Sequence, residues 1–186
     1  VADCNFNGAS AAALVSEAYE QGVSLLVLPE LCLTGYTCSD LFLQDILLNS
    51  AKKALVKIAE HTKNLDALVF VGVPIAVGGE LYNVAAALNH GNILGFTTKS
   101  FLPNYGEFYE MRQFRPGPKK AEKILFGGKE IPFGPQLLFV ENQMANLIVS
   151  AEICEDVWSP VPPSIEAARE GATVIVNCSA SDETIG

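Results

Sequence analysis

The sequence is poor in histidine, and this argues against several classes of histidine-dependent enzyme. Only His61 and His90 occur among 186 residues; the first ends a predicted helix and the second lies in a predicted turn. A cysteine–histidine protease or a histidine-ligated zinc hydrolase would have little to work with. We therefore predict no metal site, and any catalytic base in this chain would have to be a carboxylate.

Basic charge and long apolar runs are also scarce. The 12 Lys and Arg residues are outnumbered by 21 Asp and Glu, which gives a net charge of -9 and argues against nonspecific binding to nucleic acid or anionic membranes. No apolar run reaches the roughly twenty residues of a membrane span. The odd count of five cysteines shows no disulfide-framework spacing, which is typical of a reducing compartment. We expect a cytoplasmic protein.

The apolar runs that are present are short and separated by Gly, Pro and charged residues. They predict an α/β protein of one domain, in which helices flank mixed sheets. Turns at 89–92 and 141–143 predict two hairpins, and Gly and Pro within 127–134 predict two more turns. The predicted helices cover residues 9–21, 39–63 and 162–170, and the predicted strands cover 24–28, 67–73, 81–89, 91–98, 136–140, 145–151 and 172–177.

Three of the predicted strands end beside residues that can take part in chemistry. Glu30 follows one strand, Lys99 follows a second, and Cys154 follows a third. Taken singly, they would be a solvated carboxylate, a surface amine and a small buried hydrophobe. Taken together, they supply a base, a cation for an oxyanion and a nucleophile. This set predicts a cysteine amidohydrolase that needs no histidine.

The loop from Phe101 to Phe114 is rich in aromatic and charged side chains. Such a loop either packs its aromatics over the edge of the core or forms the wall of a substrate pocket. Glu107 and Glu110 could each face the site, and Arg112 could pair with one of them.

Three motifs resemble the nitrilase (carbon–nitrogen hydrolase) superfamily: Leu-Pro-Glu30-Leu-Cys-Leu-Thr-Gly-Tyr36, Thr-Lys99 with the Leu-Pro-Asn-Tyr105 that follows, and Ile-Cys154-Glu-Asp. The resemblance implies an α-β-β-α sandwich with a catalytic triad of Glu30, Lys99 and Cys154. It also implies a second catalytic glutamate, for which Glu107 matches and Glu110 competes.

A narrower resemblance is to the glutaminase domains of glutamine-dependent NAD synthetases. It rests on longer stretches around Asp40, in the loop 102–114 and at Cys-Glu-Asp-Val-Trp158. That resemblance implies hydrolysis of L-glutamine without a cofactor. It implies that the ammonia passes through a tunnel to a C-terminal synthetase domain that uses ATP and Mg, and it implies a homo-oligomer. The residues expected to contact glutamine are Tyr105 and Ser181, and those expected to line the pocket are Tyr36, Glu155 and Trp158.

The sequence departs from this pattern in three places. It has no Ser-Gly-Gly pyrophosphate loop, it ends at Gly186 before an expected arginine, and Gly106 stands where an Arg or Lys usually precedes Glu107. We therefore expect residues 1–186 to be a C-terminally truncated carbon–nitrogen hydrolase domain without the synthetase domain. The alternatives are a free-standing amidase or nitrilase for another small amide or nitrile, and a non-catalytic interaction module of the same fold.

Overall fold

The computed structural model describes residues 1–144 and 146–181. None of the helices in this part of the chain is both long and apolar enough to cross a membrane. The helices are α1 (Cys4–Glu20), α2 (Asp45–His61) and α3 (Pro163–Arg169), and the strands are β1 (Leu25–Val27), β2 (Leu68–Val77), β3 (Glu80–Asn89), β4 (Asn92–Thr98), β5 (Glu122–Phe126), β6 (Lys129–Gly134), β7 (Leu138–Val140), β8 (Ile148–Ile153) and β9 (Val174–Cys178). Short 3₁₀ turns lie at Ser39–Leu43, Thr62–Asn64, Glu110–Arg112 and Cys154–Trp158.

The strands form two mixed sheets. The first has the order β1-β2-β3-β4-β6-β5, and the second has the order β7-β8-β9. The pairs β1–β2, β4–β6 and β8–β9 are parallel, and the other neighbours are antiparallel. The two predicted hairpins are confirmed as β3–β4 and β7–β8. The predicted start of a strand at residue 145 lies outside the described residues, and β8 begins at Ile148.

The two sheets pack face to face, and the helices cover their outer sides. Phe70, Ala85 and Ala87 of the first sheet are buried together with Val149, Ala151 and Val176 of the second. On the other side of the first sheet, buried residues of α1 and α2 form a common core with β2 and β3. The helix α3 packs on β8. The predicted α-β-β-α sandwich is therefore confirmed for the described residues.

Two helix boundaries differ from the prediction. The helix α1 begins at Cys4 rather than near residue 9, because the Asp3 side chain accepts the N–H of Phe6 at 2.9 Å and caps the helix. The single helix predicted over 39–63 is a 3₁₀ turn followed by α2. Gln44 between them is extended, with φ -101° and ψ 122°, and this interrupts the helical hydrogen bonds.

Of the two turns predicted over residues 127–134, one is present at Gly127 and Gly128, and the rest of the segment is a strand of the β5–β6 hairpin, which was not predicted. Gly127 and Gly128 both have positive φ, at 59° and 81°, which suits the two-residue loop of a hairpin. Phe133 pairs with Phe96 of β4, so the hairpin extends the first sheet.

The strand directions bring three strand ends to one edge of the sandwich. The strands β1 and β4 run the same way, because β1 is parallel to β2 and two antiparallel pairings separate β2 from β4. Backbone N–H groups just after β4 donate to Asp156, which follows β8, so the end of β8 lies at the same edge. Gly72 of β2 makes room there, since a Cβ on it would lie 2.7 Å from Glu30 Cα.

Candidate active site

A buried lysine between two buried glutamates lies at this edge. Lys99 Nζ is 2.7 Å from Glu30 Oε1 and 2.6 Å from Glu110 Oε1, and all three side chains are buried. Lys99 directly follows β4, Glu30 follows β1, and Glu110 begins the 3₁₀ turn of the loop after Lys99. Buried ion pairs such as these withstand desolvation only when their geometry is good.

Neighbouring charges in this cluster shift the pKa values of Lys99 and Glu110. Burial alone would lower the pKa of Lys99, but the carboxylates of Glu30 and Glu110 outweigh it, and the pKa is raised. Burial raises the pKa of Glu110, and Glu30 adds to this, while Lys99 opposes it. The ammonium is therefore kept charged in a place with little water, where a cation stabilises a developing negative charge strongly.

Two further side chains orient the glutamates. Asn83 Nδ2 of β3 donates to Glu30 Oε1 at 2.7 Å, and the hydroxyl of Tyr36 donates to Glu110 Oε1 at 2.6 Å. The other oxygen of each glutamate, Oε2, is buried without a hydrogen-bond partner among residues 1–144 and 146–181. The Oε2 atom of Glu30 can therefore accept a proton from an incoming group.

Cys154 lies at the point where β8 turns into a 3₁₀ turn. Its φ of 44° is in the left-handed region, which costs a residue other than glycine about 1–3 kcal/mol. Asn177 holds this conformation, because its Oδ1 accepts the Cys154 N–H at 3.0 Å. The Cys154 residue is 9% exposed, and its Sγ is 3.8 Å from Ser181 Oγ. The turn thus presents a partly accessible thiol at the end of a strand, where nucleophiles are commonly placed.

Asp156 connects this turn to the segment that follows Lys99. Its Oδ1 accepts the N–H groups of Ser100 and Phe101, and its Oδ2 accepts the N–H of Ile153. Burial raises the pKa of Asp156 to about 6, although the three N–H groups and Lys99 favour the carboxylate. With a pKa of about 6, most Asp156 side chains are ionised at neutral pH.

The rim of the site is aromatic and acidic. The Tyr105 hydroxyl donates to both oxygens of Glu155, at 2.9 and 3.0 Å, and the Phe108 ring makes edge contacts with Tyr36 and Tyr105. The hydrogen bond to Glu155 raises the pKa of Tyr105, and Cys154 and Glu107 contribute. Burial raises the pKa of Tyr36, and Glu110, Glu30 and Cys154 add to the effect. Both tyrosines thus lie within the electrostatic reach of the thiol.

The structure distinguishes between Glu107 and Glu110, the two candidates for the second glutamate that the sequence did not separate. Glu110 is buried against Lys99, whereas Glu107 is exposed. The geometry therefore favours Glu110 over Glu107 as the second glutamate of the cluster. Trp158 is 77% exposed, and among the described residues it joins none of the hydrogen bonds of the site.

Sequence reasoning missed three residues that support the site: Asn83, Asn177 and Asp156. Each had a signal in the sequence. Asn83 interrupts the apolar run of a buried strand, and Asn177 ends another such run. A polar side chain in such a run must find a buried partner, because an unpaired one is costly. Asp156 follows the proposed nucleophile by two residues, as an acidic residue in a turn that must carry buried N–H groups.

Comparisons with known proteins agree with this geometry. The sequence model of the carbon–nitrogen hydrolase family matches residues 3–185 of this chain. The glutamine-dependent NAD(+) synthetase of Mycobacterium leprae (strain TN) is 41% identical over 186 residues, which is 100% of this chain and 27% of that protein.

Two solved structures are similar as well. A glutamine-dependent NAD(+) synthetase from Cytophaga hutchinsonii matches with a TM-score of 0.83 and 33% identity, over 96% of this chain and 28% of that one. An amidase from Nesterenkonia sp. matches with a TM-score of 0.70 and 26% identity, over 97% of this chain and 62% of that one. This chain therefore spans about a quarter of the length of the synthetases that it matches.

Proposed function

The chain belongs to the carbon–nitrogen hydrolase family, and on that premise we propose that it is a glutaminase, a cysteine amidohydrolase that releases ammonia from L-glutamine. The observation that carries the proposal is the buried Glu30–Lys99–Glu110 cluster at the strand edge that also holds Cys154. The identity of 41% to a glutamine-dependent NAD(+) synthetase, over the whole chain, supports glutamine as the amide.

The first half of the proposed reaction forms a thioester. Glu30 takes the proton of the Cys154 thiol, and the thiolate attacks the side-chain amide carbon of glutamine. As the carbon–sulfur bond forms, the carbonyl oxygen gains negative charge, and the Lys99 ammonium stabilises it. Glu30 then gives its proton to the amide nitrogen. The carbon–nitrogen bond breaks, and ammonia leaves.

The second half returns the enzyme to its starting state. Glu30, again a carboxylate, takes a proton from water, and the resulting hydroxide attacks the thioester carbon. Lys99 stabilises the second oxyanion. The carbon–sulfur bond breaks, and the thiolate regains the proton from Glu30. Because Glu30 supplies the base and Lys99 the cation, we propose that the reaction runs without a metal or a cofactor.

The rim is proposed to bind the amino-acid end of glutamine. Tyr105 and Ser181 are the proposed contacts, and Tyr36, Glu155 and Trp158 are proposed to line the pocket. The support for Tyr105 and Glu155 is that their side chains meet at the mouth of the site, and the support for Ser181 is its hydroxyl 3.8 Å from the thiol. Glu155 offers a carboxylate that is complementary to the α-ammonium group of an amino acid.

We also propose that this glutaminase works within a longer, cytoplasmic NAD synthetase. The support is the length of the relatives, of which this chain matches about a quarter. In this account the ammonia is used by a C-terminal synthetase domain that binds ATP and Mg, and the full protein is a homo-oligomer. Neither nucleic acid nor a membrane is a partner.

Replacing Cys154 in the full-length protein tests the proposal. With Cys154→Ser we expect glutamine-supported NAD synthesis to fall by at least about 10³-fold, because the nucleophile is lost. Synthesis supported by added ammonium should remain, because it bypasses the glutaminase. Full glutamine-supported activity in the variant would contradict the proposed mechanism.

A second candidate is an amidase for another small amide, which the similarity to the Nesterenkonia amidase favours. It would use the same cluster and thiol. Hydrolysis of short aliphatic amides by the protein, with no hydrolysis of glutamine and with loss of activity in Cys154→Ser, would support this candidate.

A further inference from the structure

Asp156 joins the backbone segments that carry two of the proposed catalytic residues. It is fully buried, with an exposure of 0%. Its Oδ1 accepts the N–H groups of Ser100 and Phe101 at 2.9 and 2.8 Å, and its Oδ2 accepts the N–H of Ile153 at 3.0 Å. Ser100 and Phe101 directly follow Lys99, and Ile153 directly precedes Cys154. One side chain therefore ties the end of β4 in one sheet to the end of β8 in the other.

We propose that Asp156 is a positioning residue that sets the placement of Lys99 relative to Cys154, and that it supports the rate of the reaction rather than the binding of substrate. This inference rests on the proposed function. Asp156 forms its hydrogen bonds with backbone groups on both sides of the site, and so it acts through Lys99 and Cys154. A displacement of about 1 Å between reacting groups can cost about 10²-fold in rate.

The carboxylate form is required because all three of its partners are donors. Both oxygens of an ionised carboxylate accept hydrogen bonds, whereas an amide has one accepting oxygen and one donating NH₂ group. In Asp156→Asn, the NH₂ group must face either Ile153 N–H or the pair from Ser100 and Phe101. In either orientation one segment loses its anchor, although the side chain keeps its size.

Asp3→Asn is the matched control. Asp3 also accepts a backbone N–H, from Phe6, but it uses a single oxygen at the exposed start of α1. The oxygen of Asn can accept that bond, since Asn and Asp cap helices about equally well. The control therefore makes the same chemical change at a place where the amide is sufficient.

The test makes two kinetic measurements on the full-length protein and on both variants. The first is the alkylation rate of Cys154 by iodoacetamide, followed by mass spectrometry of the Cys154 peptide. The second is kcat and KM for glutamine hydrolysis. Thermal unfolding establishes that each variant is folded.

For folded Asp156→Asn we expect kcat to fall about 10²-fold with KM within about threefold of the parent value. We expect the alkylation rate of Cys154 to change about tenfold, because either the turn that presents the thiol or the segment that follows Lys99 loses its anchor. Asp3→Asn should match the parent protein in both rates. Asp156→Asn with both rates within twofold of Asp3→Asn would overturn the proposal, and so would a raised KM with an unchanged kcat.

Asp156→Ser carries the same test if the amide prevents folding, because the smaller side chain leaves room for water beside the N–H groups. The alkylation arm needs no substrate. A parent protein that does not hydrolyse glutamine would therefore refute the proposed function, while the alkylation rates would still decide the role of Asp156.

Discussion

At the scale of single residues, the central feature is the buried ammonium of Lys99 between two carboxylates. A lysine buried alone would tend to lose its proton, because burial disfavours the charged form. Here Glu30 and Glu110 reverse that tendency and raise the pKa of Lys99. The pair of glutamates thus keeps a cation in place before any substrate arrives. The Oε2 atoms of both glutamates have no hydrogen-bond partner among the described residues, and that of Glu30 is available for proton transfer.

Replacement of Glu110 should show which glutamate completes the cluster. Glu110→Gln removes a negative charge 2.6 Å from Lys99, and we expect kcat for glutamine hydrolysis to fall about 10- to 100-fold. Glu107→Gln is the matched comparison, because its carboxylate is exposed. We expect it to lower kcat less. Steady-state kinetics of the two variants check this, and a larger loss in Glu107→Gln would contradict the assignment.

The sequence predicted the strand ends that carry Glu30, Lys99 and Cys154 because each follows a clear apolar run. It could not choose between Glu107 and Glu110. Both lie in one irregular loop without a periodic pattern, and only the folded path of that loop decides which carboxylate is buried. Asn83 was missed for a related reason, since its partner Glu30 is 53 residues away in the sequence.

At the scale of elements, the site depends on how closely the Glu30 loop approaches β2. The backbone from Pro29 to Leu31 lies over Gly72, and a side chain there would collide with backbone atoms. Leu31 has a positive φ of 50°, so the loop is already strained. A shift of the loop would displace Glu30 from Lys99.

Gly72→Ala should therefore damage both stability and activity. We expect a lower Tm and at least about a tenfold lower kcat, because the colliding atoms are backbone atoms that cannot turn away. Gly95→Ala in β4 is the control, since its added Cβ meets the flexible end of Leu137, at 2.8 Å. Thermal unfolding and kinetics of both variants check this. A milder effect in Gly72→Ala than in Gly95→Ala would contradict it.

Because Asp156 is buried and titratable, it should also make the stability of the protein depend on pH. Burial raises the pKa of Asp156 from 3.8 to about 6, so between these pH values the folded state binds more protons than the unfolded state. The contribution of Asp156 to the free energy of unfolding therefore falls as the pH rises through this window. The shift corresponds to something on the order of 3 kcal/mol.

Asp156→Asn should remove that dependence. We expect the free energy of unfolding of the parent protein, minus that of the variant, to be smaller at pH 7 than at pH 4. Urea denaturation at several pH values measures the difference, with Asp3→Asn as the control for an aspartate replaced elsewhere. A difference that grows as the pH rises would show that the sign is wrong.

Element prediction succeeded where one periodicity was clear and failed where local signals conflicted. The long strands β2 and β3 are apolar runs bounded by turn residues, and both were found. The β5–β6 hairpin was missed because two glycines, and Pro132 within β6, indicate turns. That hairpin is fixed by pairing with β4, which is distant in sequence. Similarly, the extended Gln44 divides a region that has the periodicity of one helix.

At the scale of the whole molecule, the five cysteines differ in their surroundings. All are free thiols. Burial raises the pKa of Cys32 to about 12, and it raises the pKa of Cys4, Cys38 and Cys178 as well. At pH 8 a thiol with a pKa of about 12 has only about 10⁻⁴ of its molecules as thiolate. The fold therefore suppresses these four thiols by burial, whereas Cys154 lies in the strained turn at the end of β8.

Labelling with 6-diazo-5-oxo-norleucine examines whether Cys154 is the nucleophile of a glutaminase, as we propose. This glutamine-like electrophile is incubated with the protein, and the adducts are mapped by mass spectrometry. We predict a single adduct on Cys154, which an excess of glutamine prevents. An adduct elsewhere, or none in folded protein whose Cys154 still reacts with iodoacetamide, would contradict the claim.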